Sequence, residues 1–223
     1  MPTRVAVVLC GSGALDGTDI HEAVCCFLAL SQAGAQTVVF APDAAQYRVA
    51  NHLTGQDAQE QRNMLTEAAR LWIKVRPLHE ADPEELDTVL LPGGFGASRS
   101  LANLGFVLDR MQLIPDMARL LNGLADRGKP LGAICVASGL LAGLMRDRGV
   151  TGARIAIAGK EHFVQAVRDM GQTPVDAGPT GVVVDEKNRL VTGHGYMLAR
   201  KLDTLWTGVE AVVAELMKMT AKG

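Results

Sequence analysis

Short β-branched runs alternate with amphipathic helical stretches along this chain, and that alternation leaves few folds open. Strand-like runs occupy residues 4–10, 36–41, 73–78, 88–91, 131–134 and 154–157. Helical periodicity marks 19–33, 60–71, 112–127, 136–146 and 161–170, with a long C-terminal stretch near 196–219. Strands separated by helices pair in parallel, and the helices cover both faces of the resulting sheet. Two later runs, 181–185 and 189–192, flank Glu186-Lys187-Asn188 and read as a hairpin with a polar turn. Gly34, Gly128, Gly149 and Gly171 each follow a periodic stretch, where a helix needs a C-terminal stop. No repeat, low-complexity tract or linker interrupts the pattern. The expectation is one α/β domain over residues 1–223.

Composition narrows the function classes. A chain of 223 residues, 48% hydrophobic and 21% charged, buries a full core. A net charge of −2 gives no electrostatic reason to expect nucleic acid. No apolar run reaches the length that crosses a bilayer. Met1-Pro2-Thr3-Arg4 passes directly into Val5-Ala6-Val7-Val8-Leu9, too short and too β-branched for a signal peptide. A cytoplasmic protein with no membrane partner is expected. Cys10, Cys25, Cys26 and Cys135 form no C-x-x-C pair, which fits reduced thiols. The five histidines show no ligand spacing, so neither a metal site nor another cofactor is expected.

In an open parallel sheet, ligands bind beyond the carboxyl ends of the strands. The loops after Leu9, Leu91, Ile134 and Val191 are therefore the places to look. After the fifth strand-like run comes Leu131-Gly132-Ala133-Ile134-Cys135-Val136-Ala137-Ser138-Gly139. It reads as a variant of the nucleophile elbow, a sharp strand-to-helix turn that exposes one side chain and needs small neighbours. The new helix aims N–H groups and its positive dipole end at the sulfur, so the expectation is a thiol lowered toward thiolate. The first loop, Cys10-Gly11-Ser12-Gly13-Ala14-Leu15-Asp16-Gly17, leads to Thr18 or Asp19 as helix N-cap, with Glu22 in the first turn. Leu91-Pro92-Gly93-Gly94-Phe95-Gly96 offers a backbone N–H near a substrate oxygen, and Val136 N–H a second. Val191-Thr192-Gly193-His194-Gly195-Tyr196 sets a histidine at a strand end, expected to reach the mouth of the cleft. Gly11-x-Gly13 does not make a dinucleotide fingerprint, because Asp16 stands at the third glycine position.

Asp16-Gly17-x-x-Ile20-His21-Glu22-Ala23, Asn51-His52-Leu53-Thr54-Gly55, Leu91-Pro92-Gly93-Gly94-Phe95-Gly96, the Cys135 elbow and Tyr196-Met197-Leu198-Ala199 occur in one order over nearly the whole chain. Together they resemble the ElbB-like glyoxalase family, associated with isoprenoid or lycopene biosynthesis, within the PfpI and Parkinsonism-associated deglycase superfamily. The resemblance implies a flavodoxin-like, class I glutamine amidotransferase-like sandwich and a homodimer. It also implies that Cys135 is the elbow nucleophile, that Glu22 is its carboxylic acid partner, and that Gly94 and Val136 are the anion-binding donors. A carboxylate beside a thiolate holds its own proton more tightly, so Glu22 is expected to be protonated.

Two departures shape the expected activity. PfpI-type peptidases carry histidine directly after the nucleophile, where this chain has Val136, so a Cys-His relay is absent. The superfamily's better glyoxalases keep a histidine after the elbow helix, and residues 149–160 contain none. The expected function is a slow, glutathione-independent glyoxalase acting on a small aldehyde, methylglyoxal or glyoxal. It would use Cys135 and Glu22, with His194 as a further proton carrier. The alternative is a redox-responsive or metabolite-binding protein with an oxidisable Cys135 and no significant turnover.

Overall fold

The computed structural model describes residues 1–103 and 111–222. Its centre is a seven-stranded sheet built from β1 (Arg4–Val8), β2 (Gln36–Ala41), β3 (Arg76–Pro77), β4 (Thr88–Leu91), β5 (Leu131–Ile134), β8 (Val182–Asp185) and β9 (Leu190–Gly193). The order is β3-β2-β1-β4-β5-β9-β8, parallel throughout except that β8 runs against β9 as the return arm of the expected hairpin. This is the mostly parallel α/β sandwich that the alternating pattern predicts.

Burial on both faces explains why these strands read as unbroken apolar runs. Every residue of β4, β5 and β9 is buried. Successive side chains still go to opposite sides. Ala6, Val8, Val89, Leu91, Leu131 and Ala133 pack with helices α4 (Pro115–Asp126) and α5 (Ser138–Asp147). Val5, Val7, Leu9, Leu90, Ile134 and Val191 pack with α1 (Ile20–Gln32) and α7 (Leu202–Ala221). Each fully buried leucine or valine contributes roughly 1.5–3 kcal/mol. The outer face of α1 leaves Ile20, Val24 and Leu28 exposed, a stripe at four-residue spacing.

Several boundaries differ from those read in the sequence. The stretch 60–71 holds only the short α2 (Met64–Ala68), and the strand expected at 73–78 shrinks to the two residues of β3. A further helix, α3 (Phe95–Ser100), follows the Gly93-Gly94 turn. β6 (Arg154–Ala156) does not join the main sheet; it pairs in parallel with β7 (Thr173–Val175), across α6 (Glu161–Asp169). No described helix is long and apolar enough to cross a membrane.

Candidate functional site

The adjacent strands β1, β4, β5 and β9 all present their carboxyl ends on one edge of the sheet, and the candidate site lies there. Its centre is Cys135, at the head of a short 3₁₀ turn (Cys135–Ala137) that leads into α5. The backbone of Cys135 is left-handed, φ +59°. A side-chain-bearing residue in that conformation costs on the order of 1–3 kcal/mol. The turn is the expected elbow, and it leaves Cys135 partly exposed, whereas Cys10, Cys25 and Cys26 are buried.

Glu22 reaches the same point from the other side of the sheet edge. Asp19 caps α1 by accepting the Glu22 N–H at 3.0 Å, which fixes the first turn, and Glu22 itself is fully buried. One carboxyl oxygen accepts the Gly93 N–H at 2.9 Å and the other the Tyr196 N–H at 2.9 Å. The Cys135 side chain lies beside the same carboxyl, both groups crowding the Gly93 Cα. Glycine on both flanks is a steric requirement. A Cβ on Gly93 would lie 2.5 Å from Glu22 Oε2 and 2.5 Å from the Cys135 Cβ, and one on Gly195 would lie 2.4 Å from Glu22 Oε1. The two glycines clamp the carboxyl against the sulfur.

Burial, helped by the charge of Asp19, raises the Glu22 carboxyl to about 7, so near neutrality it keeps much of its proton. The thiol moves opposite to the expectation from the sequence. Burial first, and the Glu22 charge second, push Cys135 well above the ordinary thiol range, although the Val136 N–H aimed at the sulfur works the other way. The helix end is present, but it is outweighed. What singles out Cys135 among the four thiols is access, because burial raises Cys10, Cys25 and Cys26 as well. Thiol and carboxyl are neighbours whose titrations are coupled, because the charge of Glu22 raises the thiol.

The sulfur opens onto a cavity of about 390 Å³, whose walls include Gly94, Val136, Asp19, Phe95 and Tyr196. Gly94 N–H makes no hydrogen bond to the described residues, which leaves it available beside Val136. The structure thus brings Cys135, Glu22, Gly94 and Val136 together. His194 does not join them. It is 1% exposed, does not line the cavity, and turns Nε2 onto the Ala177 N–H at 3.0 Å. Burial lowers its pKa, so the neutral ring braces the 176–178 loop. Proximity to a strand end did not reveal which way that ring turns.

Tyr196, Lys160, Phe163 and Arg200 also reach the cavity, and only the Tyr196 motif had drawn attention in the sequence. The segment around Asn51-His52 serves the first loop instead. Asp16 accepts the Ala50 N–H at 2.7 Å, and His52 Nε2 accepts the Leu15 N–H at 3.2 Å. Among the described residues, no three His, Cys, Asp or Glu side chains cluster as a metal site.

Comparison with known proteins gives this geometry a lineage. The chain is 34% identical over 225 residues to the human glutamine amidotransferase-like class 1 domain-containing protein 3, mitochondrial, covering 98% of this chain and 84% of that one. The crystal structure of an isoprenoid biosynthesis protein with amidotransferase-like domain from Ehrlichia chaffeensis superposes with a TM-score of 0.89 at 28% identity, covering 97% and 99% of the two chains. Glyoxalase III from Candida albicans shares the fold, with a TM-score of 0.64 at 12% identity and 97% of each chain covered. The model of the DJ-1/PfpI family matches residues 5–203, nearly the whole sheet and every residue of the site, and the chain belongs to that family.

Proposed function

We propose that the protein is a cofactor-independent glyoxalase of an ElbB-like branch of the family, converting small 2-oxoaldehydes to hydroxy acids. The observation that carries this reading is the buried Glu22 carboxyl, pushed up to a pKa of about 7 and held beside a partly exposed Cys135. A group with a pKa near the operating pH both gives and takes a proton efficiently. The similarity to the Ehrlichia protein supports the branch, and glyoxalase III shows that the fold hosts this chemistry elsewhere.

The sulfur adds to the aldehyde carbon as Glu22 takes the thiol proton and hands it to the carbonyl oxygen, which becomes the hydroxyl of a hemithioacetal. Gly94 and Val136 N–H groups stabilise the charge developing on that oxygen. Glu22 then moves the proton from the former aldehyde carbon to the neighbouring one through an enediol, while the hydroxyl proton passes to the neighbouring oxygen, which leaves a 2-hydroxy thioester. Water cleaves the thioester, releasing the hydroxy acid and restoring the thiol. His194 has no step, because its acceptor nitrogen is committed to Ala177.

The test is lactate formation from methylglyoxal by purified protein. Wild type should turn over. Cys135→Ser should lose activity, and Glu22→Gln should fall by a factor on the order of 10² or more, as loss of a general acid–base typically does. Full activity in Glu22→Gln, or no turnover by wild type alongside rapid oxidation of Cys135 by mild peroxide, overturns the reading.

A further inference from the structure

The cavity is electrically lopsided. Its wall holds the buried Asp19 together with Cys135, and its exposed rim holds Lys160 and Arg200. These two cations come from different parts of the chain, Lys160 from the residue before α6 and Arg200 from the connection between β9 and α7. Among the described residues, neither side chain has an ion-pair or hydrogen-bond partner. The nearest candidate in sequence, Glu161, is already paired with Arg168 at 3.0 Å. Lys160 Nζ instead stands 5.6 Å from the centre of the Phe95 ring, another cavity wall, which holds the ammonium over the opening. An Arg and a Lys without carboxylates, facing one cavity, form a receptor for an anion.

Size points the same way. A cavity of about 390 Å³ matches sites for ligands of drug size, and methylglyoxal fills only a fraction of it. We propose that the substrate is a 2-oxoaldehyde whose carbon chain carries an anionic group, carboxylate or phosphate. That group is held by Lys160 and Arg200 while the aldehyde points inward to Cys135. The Asp19 carboxyl on the buried wall favours this polarity, because an anion entering the other way meets it. The proposal rests on the glyoxalase reading for its reaction, and on the placement of charge for its specificity.

The experiment compares 4,5-dioxopentanoate with its methyl ester, and the phosphate ester of hydroxypyruvaldehyde with methylglyoxal, as kcat/KM at low salt. Each anion should exceed its neutral partner by about tenfold or more, and the ratio should shrink as salt screens the rim charges. In the Lys160→Gln, Arg200→Gln double variant the ratio should drop toward one. A preference for phosphate alone, or carboxylate alone, identifies which anion the rim accepts. A second measurement needs no turnover: the rate of Cys135 alkylation by anionic iodoacetate relative to neutral iodoacetamide. The double variant should lower that ratio about fivefold or more, a loss of long-range attraction. Equal kcat/KM for acid and ester, with an alkylation ratio the double variant leaves unchanged, overturns the proposal. Absence of turnover with a charge-dependent alkylation ratio overturns the glyoxalase reading and leaves the anion receptor standing.

Discussion

Glu22 does three things that no other residue type can do at once. It accepts N–H groups from Gly93 and Tyr196 on separate oxygens, and it faces the Cys135 side chain. A neutral carboxyl manages all three, because its hydroxyl oxygen still accepts while its hydrogen is free to turn toward sulfur. Glutamine does not, since its NH₂ would face one of the two N–H groups. Glu22→Gln is therefore expected to cost roughly 1–3 kcal/mol of stability, the penalty of an orphaned buried donor, measured by urea unfolding. The same substitution removes the charge that pushes Cys135 upward, so the apparent pKa of the thiol should fall, read from the pH dependence of iodoacetamide labelling. A thiol pKa that stays or climbs would show that burial alone sets it. That Cys135, Glu22, Gly94 and Val136 would gather at one edge of the sheet was legible in the sequence, because each sits in a short motif in or just after a loop that follows a strand. The direction of the thiol shift was not. It depends on burial and on a carboxyl more than a hundred residues away, and neither leaves a local mark.

Among elements, the turn at Cys135 carries stored strain. Its φ of +59° suits glycine, yet the chain keeps a side chain there. Cys135→Gly is expected to be more stable than Cys135→Ala by on the order of 1 kcal/mol, despite the flexibility glycine adds to the unfolded chain, because it relieves the left-handed strain. Paired thermal unfolding curves would check this, and equal stability would place the strain elsewhere. The elements misread from the sequence share a cause. The pattern near 196–219 looked continuous, yet Gly195–Met197 is a separate 3₁₀ turn and the helix begins only at Leu202–Ala221. Leu202 and the residues before it match helical spacing, but that stretch must also deliver the Tyr196 N–H to Glu22. A tertiary demand outweighed local periodicity. β7 escaped notice because its three residues include Pro174, which removes a donor and weakens a strand signal.

For the molecule as a whole, the alternating pattern was enough to predict the parallel sheet, and the strand order explains why four separate loops meet in one place. β1, β4, β5 and β9 are neighbours in space and widely separated in sequence, so the site is made of non-local contacts. Folds dominated by such contacts form in milliseconds to seconds. On refolding from urea, the difference in alkylation rate between Cys135 and a free thiol should therefore appear with the slowest phase, measured by pulsed iodoacetamide labelling. Its appearance in the dead time would mean that the cradle forms locally. The bond from the Tyr196 N–H to Glu22 spans 174 positions. On the ribosome, where the N-terminal part is made first, Cys135 thus emerges as an ordinary thiol. It gains the fully clamped Glu22 neighbour only once the strand and turn around residue 196 have been synthesised, so chains cut short before that point carry the thiol without its finished setting.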